Sequence, residues 1–340
     1  MKHRLKLFLR ASYARILFHT GLGRLVDRCM PPRLTILAGH CVTAPSNARL
    51  PKDMKIEGAK LERMLSWLGR RYELTSVGEG VRRIRNGAAG QRRSLLALSM
   101  DDGYLDNRTH LLPLLARLRA GATVYLESRP LDERRVNWSH KFFWILDRVG
   151  PDELVERLAL RAAGPRSAYA LKRELKYECE PAARNRAIDA LFAELGGNER
   201  ALCDELYMTW DDVQALAKGG VELGGHTASH EILSRLDGET AAREVRTGRE
   251  AIAKKLRQEP ESFAYPFGRR WDYDSKSKEA VRAAGFASAT TTHAGTNGRE
   301  SDPYELKRIM IDEDAELHLI AAEACGGFDL LRKIGIDLSD

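Results

Sequence analysis

Two polar clusters, far apart along the chain, each close a strand-like run, and any fold of this chain has to account for both. Leu95-Leu96-Ala97-Leu98 reads as an apolar strand that ends in Ser99-Met100-Asp101-Asp102-Gly103-Tyr104. Val221-Glu222-Leu223-Gly224-Gly225 reads as a short strand and turn that leads into His226-Thr227-Ala228-Ser229-His230. Two histidines four apart can aim their rings at one metal ion when the segment is helical or tightly turned. Two adjacent carboxylates at a strand end cannot point the same way, so one can bind a metal while the other faces the attacking water. Each cluster alone has an ordinary explanation. Histidines at this spacing are common on helix surfaces, and two aspartates before glycine suit a turn or a helix cap. Together they point to a metal-assisted hydrolase.

A third motif, Tyr265-Pro266-Phe267-Gly268, follows another strand-like run, Ser262 to Tyr265. With Asp101-Asp102-Gly103 and His226-Thr227-x-x-His230 it stands in the order found in the polysaccharide deacetylases of carbohydrate esterase family 4, the NodB-homology group, and from about Leu34 to Asp314 the chain resembles that family. The resemblance implies an α/β fold, a distorted (β/α) barrel of seven or eight strands, with a divalent metal at the C-terminal ends of the strands. Zinc is the expected ion.

The same resemblance suggests roles for the residues. Asp102, His226 and His230 would hold the metal, and Asp101 would be the general base. The amide after Pro266, that of Phe267, would help hold the oxyanion. Two positions depart from the family pattern. Many relatives carry, at the place of Ala264, an arginine that orients the base, so Arg308 at the start of the last strand is the candidate replacement. The family's late acid histidine has only Glu316-Leu317-His318-Leu319 as a counterpart. His40, at the end of the first strand, instead resembles the acid of circularly permuted members, with Gly39 where tyrosine is usual. His40 is preferred because barrel active sites lie at strand C-termini. His293, after a later strand, is a candidate substrate contact, and His140 reads as structural. The implied activity is removal of acetyl groups from N-acetylated sugars of a glycan or a lipid-linked glycan precursor. Hydrolysis of another small amide, such as a formamide or cyclic imide, and an inactive glycan-binding scaffold stay open as alternatives.

Composition sets the rest. The 340 residues are 43% hydrophobic and 30% charged, an ordinary globular balance. Five cysteines, scattered and odd in number, suggest neither a disulfide framework nor a zinc finger and favour a reducing compartment. The net charge of +7 is concentrated near the N-terminus, where Lys2, Arg4, Lys6, Arg10, Arg15, Arg24, Arg28 and Arg33 face a single acid, Asp27. Apolar residues between them are too interrupted to span a membrane. Residues 1–33 are therefore expected to form a basic amphipathic helix, lying on the anionic inner face of the cytoplasmic membrane or packed on the barrel. On the membrane reading it could be cut away without harm to the barrel. Strand-helix alternation lapses from about 132 to 207, which reads as a helical insertion, and residues 315–340 read as a helical tail. No nucleic-acid module is evident, and oligomeric state is not legible.

Overall fold

A computed structural model describes residues 2–43, 50–87, 93–161 and 166–338. Among them are ten strands: β1 (Leu34–Gly39), β2 (Cys41–Thr43), β3 (Lys55–Glu57), β4 (Glu73–Thr75), β5 (Leu95–Met100), β6 (Ala122–Leu126), β7 (Glu222–Gly225), β8 (Ser262–Ala264), β9 (Ser288–Thr290) and β10 (Ile309–Met310). Seven form one parallel sheet in the order β10-β1-β5-β6-β7-β8-β9, and β4 flanks the first half of β5. The sheet curls toward closure through its last segment. Leu306 bridges Thr290 on one side, while Ile309 and Met310 pair with β1 on the other. β2 and β3 form a separate two-stranded ladder.

Every residue of β1 and β5 is buried. Both are apolar without alternation because one face lines the barrel and the other lies under helices. The helix Gly58–Gly69 buries Leu61, Met64, Leu65 and Leu68, a helical stripe facing that sheet. The helix Trp210–Lys218 starts at a capping box between Thr209 and Asp212. The helix Gly238–Leu256 passes so close to the histidine turn that a Cβ on Gly248 would lie 2.8 Å from the Thr227 carbonyl oxygen. Only glycine allows that approach.

The insertion consists of helices Trp138–Arg157, Ala168–Tyr177, Pro181–Glu194 and Glu199–Leu206, the first broken at Gly150-Pro151. It has its own apolar core, with Trp138, Phe142, Ile145, Leu154, Leu171 and Phe192 among its members. Each such buried side chain contributes about 1.5–3 kcal/mol, enough to hold the insertion as a packed unit.

The basic N-terminal segment is not one helix but two, Lys2–His19 and Leu22–Cys29, separated at Gly21 (φ 79°). The first is also no detachable appendage. Ala14 and Leu17 share a cluster with Ala322, Cys325 and Phe328 of the C-terminal helices, and the Tyr13 hydroxyl donates to the Gly327 carbonyl at 3.0 Å. Phe18 stacks on Trp67, with ring centroids 5.0 Å apart. Its outer side leaves Leu5, Phe8, Leu9 and Ile16 exposed.

Candidate active site

The C-terminal ends of β5 and β7 bring the two polar clusters together. One ligand atom from each of Asp102, His226 and His230 lies within 4.8 Å of the others, and all three residues are buried. Asp102 Oδ1 is 3.2 Å from His226 Nε2 and 3.4 Å from His230 Nε2. It has no hydrogen-bond partner despite its burial. An acceptor oxygen orphaned between two imidazole nitrogens fits a divalent cation. His226 Nδ1 is 2.7 Å from the Ala264 carbonyl oxygen, which fixes the ring with Nε2 turned inward. Burial pushes the pKa of His230 down to about 3, so it is neutral with a lone pair to offer. Burial lowers that of His226 too, but the facing Asp102 carboxylate and the Asp101 charge outweigh it and raise the value.

The local backbone is bent to present these groups. Asp102 (φ 75°), Thr227 (64°), His230 (59°) and Phe267 (61°) are all left-handed without being glycine. Such conformations cost free energy and persist where the surroundings enforce them. Glu244 enforces the histidine turn by accepting from the N–H groups of Ala228 and Ser229 and from the Ser229 hydroxyl. Thr227 Oγ1 accepts from the His230 N–H.

Asp101 sits beside this cluster in a bidentate pair with Arg308. Nη1 and Nη2 donate to its two carboxylate oxygens at 2.7 and 2.8 Å. Both side chains are almost wholly buried, and the Arg308 Nε donates to the Thr291 carbonyl. Burial opposes ionisation of Asp101, yet the Arg308 charge and hydrogen bonds hold its pKa below the usual carboxylate range. The guanidinium reaches Asp101 from the β10 side, while Ala264 ends β8 with only a methyl group.

A polysaccharide deacetylase family model matches residues 88–289, more than half of the chain. The chain belongs to the polysaccharide deacetylase family. The polysaccharide deacetylase homologue YxkH of Bacillus subtilis (strain 168) is 23% identical over 105 residues, 31% of this chain and 37% of that protein. The chain therefore spans well under half the length of that relative. Among solved structures, the Streptococcus pyogenes deacetylase PplD in complex with acetate superposes with a TM-score of 0.58 at 15% identity, over 87% of this chain and 99% of that one. IcaB from Ammonifex degensii gives 0.57 at 15% identity, over 87% and 98%. The de-N-acetylase from Aggregatibacter actinomycetemcomitans gives 0.53 at 16% identity, over 84% and 97%. At these identities the likeness is one of fold.

The family's remaining expected residues are placed unequally. His40 follows β1, whose last residue Gly39 lies opposite Met100 and accepts from the Asp101 N–H at 2.9 Å. Its Nδ1 is buried without a partner, and its positive charge would lower the pKa of both Asp101 and Asp102. His318 is elsewhere: its Nδ1 is 3.1 Å from Glu316, and the other charges acting on it are Arg15 and His19 of the N-terminal helix. His293 follows β9 and its carbonyl accepts from the Arg308 N–H; its ring lies 6.0 Å from that of Tyr273, and its Nε2 is buried without a partner. Phe267 does join the site, packing edge-on to His230 with ring centroids 4.7 Å apart. Among the described residues its N–H makes no hydrogen bond. His140 is buried against Tyr104 and Tyr207, its Nε2 2.8 Å from the Tyr104 hydroxyl oxygen, and burial lowers its pKa to about 4.

Two groups near the site escaped the sequence reading. Glu127 directly follows β6, and its Oε1 accepts from Asn137 and the Tyr207 hydroxyl while Oε2 is buried without a partner. Burial, then the Asp102 charge, raises its pKa well above the usual range. A carboxyl group at a barrel strand end was a usable signal. Glu231, next to His230, accepts from Arg184 and Asn185 of the insertion. Nothing local in the sequence announces that clamp.

Proposed function

We propose that this polysaccharide deacetylase family member is a metal-dependent de-N-acetylase acting on N-acetylated sugars of a glycan or lipid-linked glycan precursor. The observation that carries the reading is Asp101, buried and held by Arg308 in its ionised form, next to three buried donors converging from Asp102, His226 and His230. A divalent ion bound there, zinc by the nitrogen-rich donor set, would polarise the acetamide carbonyl and acidify water.

The chain's own residues do the rest. Asp101 takes a proton from the attacking water, and Arg308 keeps its carboxylate oriented. The Phe267 N–H, preset by the turn, donates to the oxygen of the tetrahedral adduct. His40 gives a proton to the sugar nitrogen as the C–N bond breaks, leaving acetate and a free amine. Release of free amine from N-acetylated oligosaccharides and lipid-linked sugars, with and without chelator, tests this. Chelation should abolish release and zinc should restore it. No release from any such substrate, or release indifferent to chelation, would overturn the reading.

We also infer that the N-terminal helices hold the protein at the inner, anionic face of the cytoplasmic membrane. Exposed Leu5, Phe8, Leu9, Ile16, Leu22 and Leu25, interleaved with Arg4, Arg15, Arg24 and Arg28, support peripheral binding. No helix among the described residues is long and apolar enough to cross a membrane.

A further inference from the structure

Lysine 172 is the cation that the site already described does not use. It lies on the insertion helix Ala168–Tyr177, half-buried, with its ammonium 4.9 Å from the Phe143 ring centroid and 5.7 Å from that of Phe267. Phe267 in turn packs on His230, so a single aromatic ring separates the ammonium from the triad. Among the described residues Lys172 makes no ion pair. Its neighbour one turn on, Lys176, is different: it stands 3.6 Å over the same Phe267 ring but is committed to buried Asp272 at 3.3 Å. The insertion therefore presents one fixed cation and one uncommitted cation to the oxyanion loop. The charges acting on Lys172 are carboxylates in reach but not in contact, Asp102 and Asp53. Burial disfavours its ammonium, and these carboxylates support it. A half-buried cation without an ion pair is a cost unless an anion visits it.

We propose that Lys172 is a specificity-determining residue, and that the substrate is an N-acetylated sugar bearing an anionic substituent, a phosphate or a carboxylate, next to the acetamido ring. The proposal rests on the deacetylase reading above and deepens it. A lysine ammonium meets either anion as a point charge, and a charge-assisted hydrogen bond there would be far stronger than one to a sugar hydroxyl. The two flanking phenyl rings keep the ammonium stem dry and directed, in the way apolar surface accommodates lysine stems. Neutral chitin-like substrates leave this cation unmatched.

The test compares metal-loaded wild type, Lys172→Met and Lys172→Arg on three probes: chitopentaose, which is neutral; N-acetylglucosamine 1-phosphate; and a hyaluronan hexasaccharide, which carries carboxylates. Wild type should prefer at least one anionic probe by about tenfold or more in kcat/KM, and which one it prefers separates phosphate from carboxylate. Lys172→Met, which keeps the stem packing, should erase most of that preference through KM, and Lys172→Arg should retain it. A wild type that prefers chitopentaose, or a Met variant that lowers all three in proportion, would overturn the proposal while leaving the deacetylase reading intact. If none of the three probes is deacetylated, binding of inorganic pyrophosphate by calorimetry decides the anion site alone. Affinity equal in wild type and Lys172→Met would refute it.

Discussion

The barrel rim and the helices added around it treat charge in opposite ways. On the rim, the charged groups are held by close partners: Asp101 by Arg308 through two hydrogen bonds, the histidine turn by Glu244, with Asp102 set between two histidine nitrogens. On the added helices the charges facing outward are incompletely matched. Lys172 has no ion pair among the described residues, and the N-terminal pair sets arginines among exposed leucines and a phenylalanine. Buried, paired groups fix a reacting geometry. A cation such as Lys172, without an ion pair among the described residues, is suited to meeting something that is not part of the chain. The comparison assigns chemistry to the barrel and recognition to its additions.

The hardest blow to the barrel side is loss of the donor cluster. His226→Ala or His230→Ala should remove most of the metal from purified protein and depress deacetylation by about 10³-fold or more. Undiminished metal by elemental analysis in both variants would break the assignment of the triad. Asp101→Asn should retain metal and fold and lose about 10²-fold or more in kcat. Near-normal turnover with metal bound would mean that another group is the base.

Arg308→Met separates structure from chemistry on the same side. It strands a buried carboxylate, which costs about 3–5 kcal/mol by the usual measure of a broken buried pair. The sign of the pH effect follows from the present balance. Asp101 has a folded-state pKa below its ordinary value, so its ionised form adds stability at neutral pH that is lost as the pH falls through that depressed value. Without Arg308 the burial penalty is opposed only by the nearby His226 and His40, and the pKa rises. The loss of stability should then be largest at neutral pH and shrink as the pH falls and protonates Asp101, while the acid limb of the kcat/KM profile moves up. A variant with the wild-type acid limb would show that Arg308 does not tune the base.

Legibility in the sequence followed the same divide. The strands that carry the site were readable because each is a short apolar run ending in polar or glycine residues, and Asp101, Asp102, His226 and His230 sit at those ends. Arg308 was readable only as a replacement for what Ala264 lacks, since a lone arginine in a basic chain has no local signature. Short features were missed, among them β2, β3 and the helix Val77–Asn86, which contains two glycines and four charged residues and so has a weak apolar stripe. The insertion was readable as helical. Its contacts with the site, Lys172 over Phe267 and Arg184 on Glu231, join residues far apart in the chain, and no local pattern encodes such pairings. The N-terminal segment misled in one respect. Its apolar residues serve two faces, one against Phe328 and one toward solvent, so periodicity alone could not tell a surface helix from a packed one.

That double face sets the smallest expected effect and the cleanest test of the recognition side. Deleting residues 2–29 is a poor experiment, because it would uncover Ala322, Cys325 and Phe328 and destabilise the C-terminal helices. Substituting only the outer face avoids this. Phe8 is 66% exposed and Leu5 57%, and neither belongs to the cluster that Ala14 and Leu17 form with the C-terminal helices. Leu5→Glu with Phe8→Glu removes apolar area and places two negative charges among the arginines, leaving Tyr13 and its bond to Gly327 in place. Each basic residue near an anionic surface contributes about 1 kcal/mol, roughly fivefold in binding, and salt screens it. The double variant should therefore bind phosphatidylglycerol vesicles at least tenfold more weakly at low salt, with unchanged melting temperature and unchanged activity on a soluble substrate. Equal vesicle binding by variant and wild type, or none by wild type at low salt, would mean that these helices only brace the barrel, and the recognition role would then rest on the insertion alone.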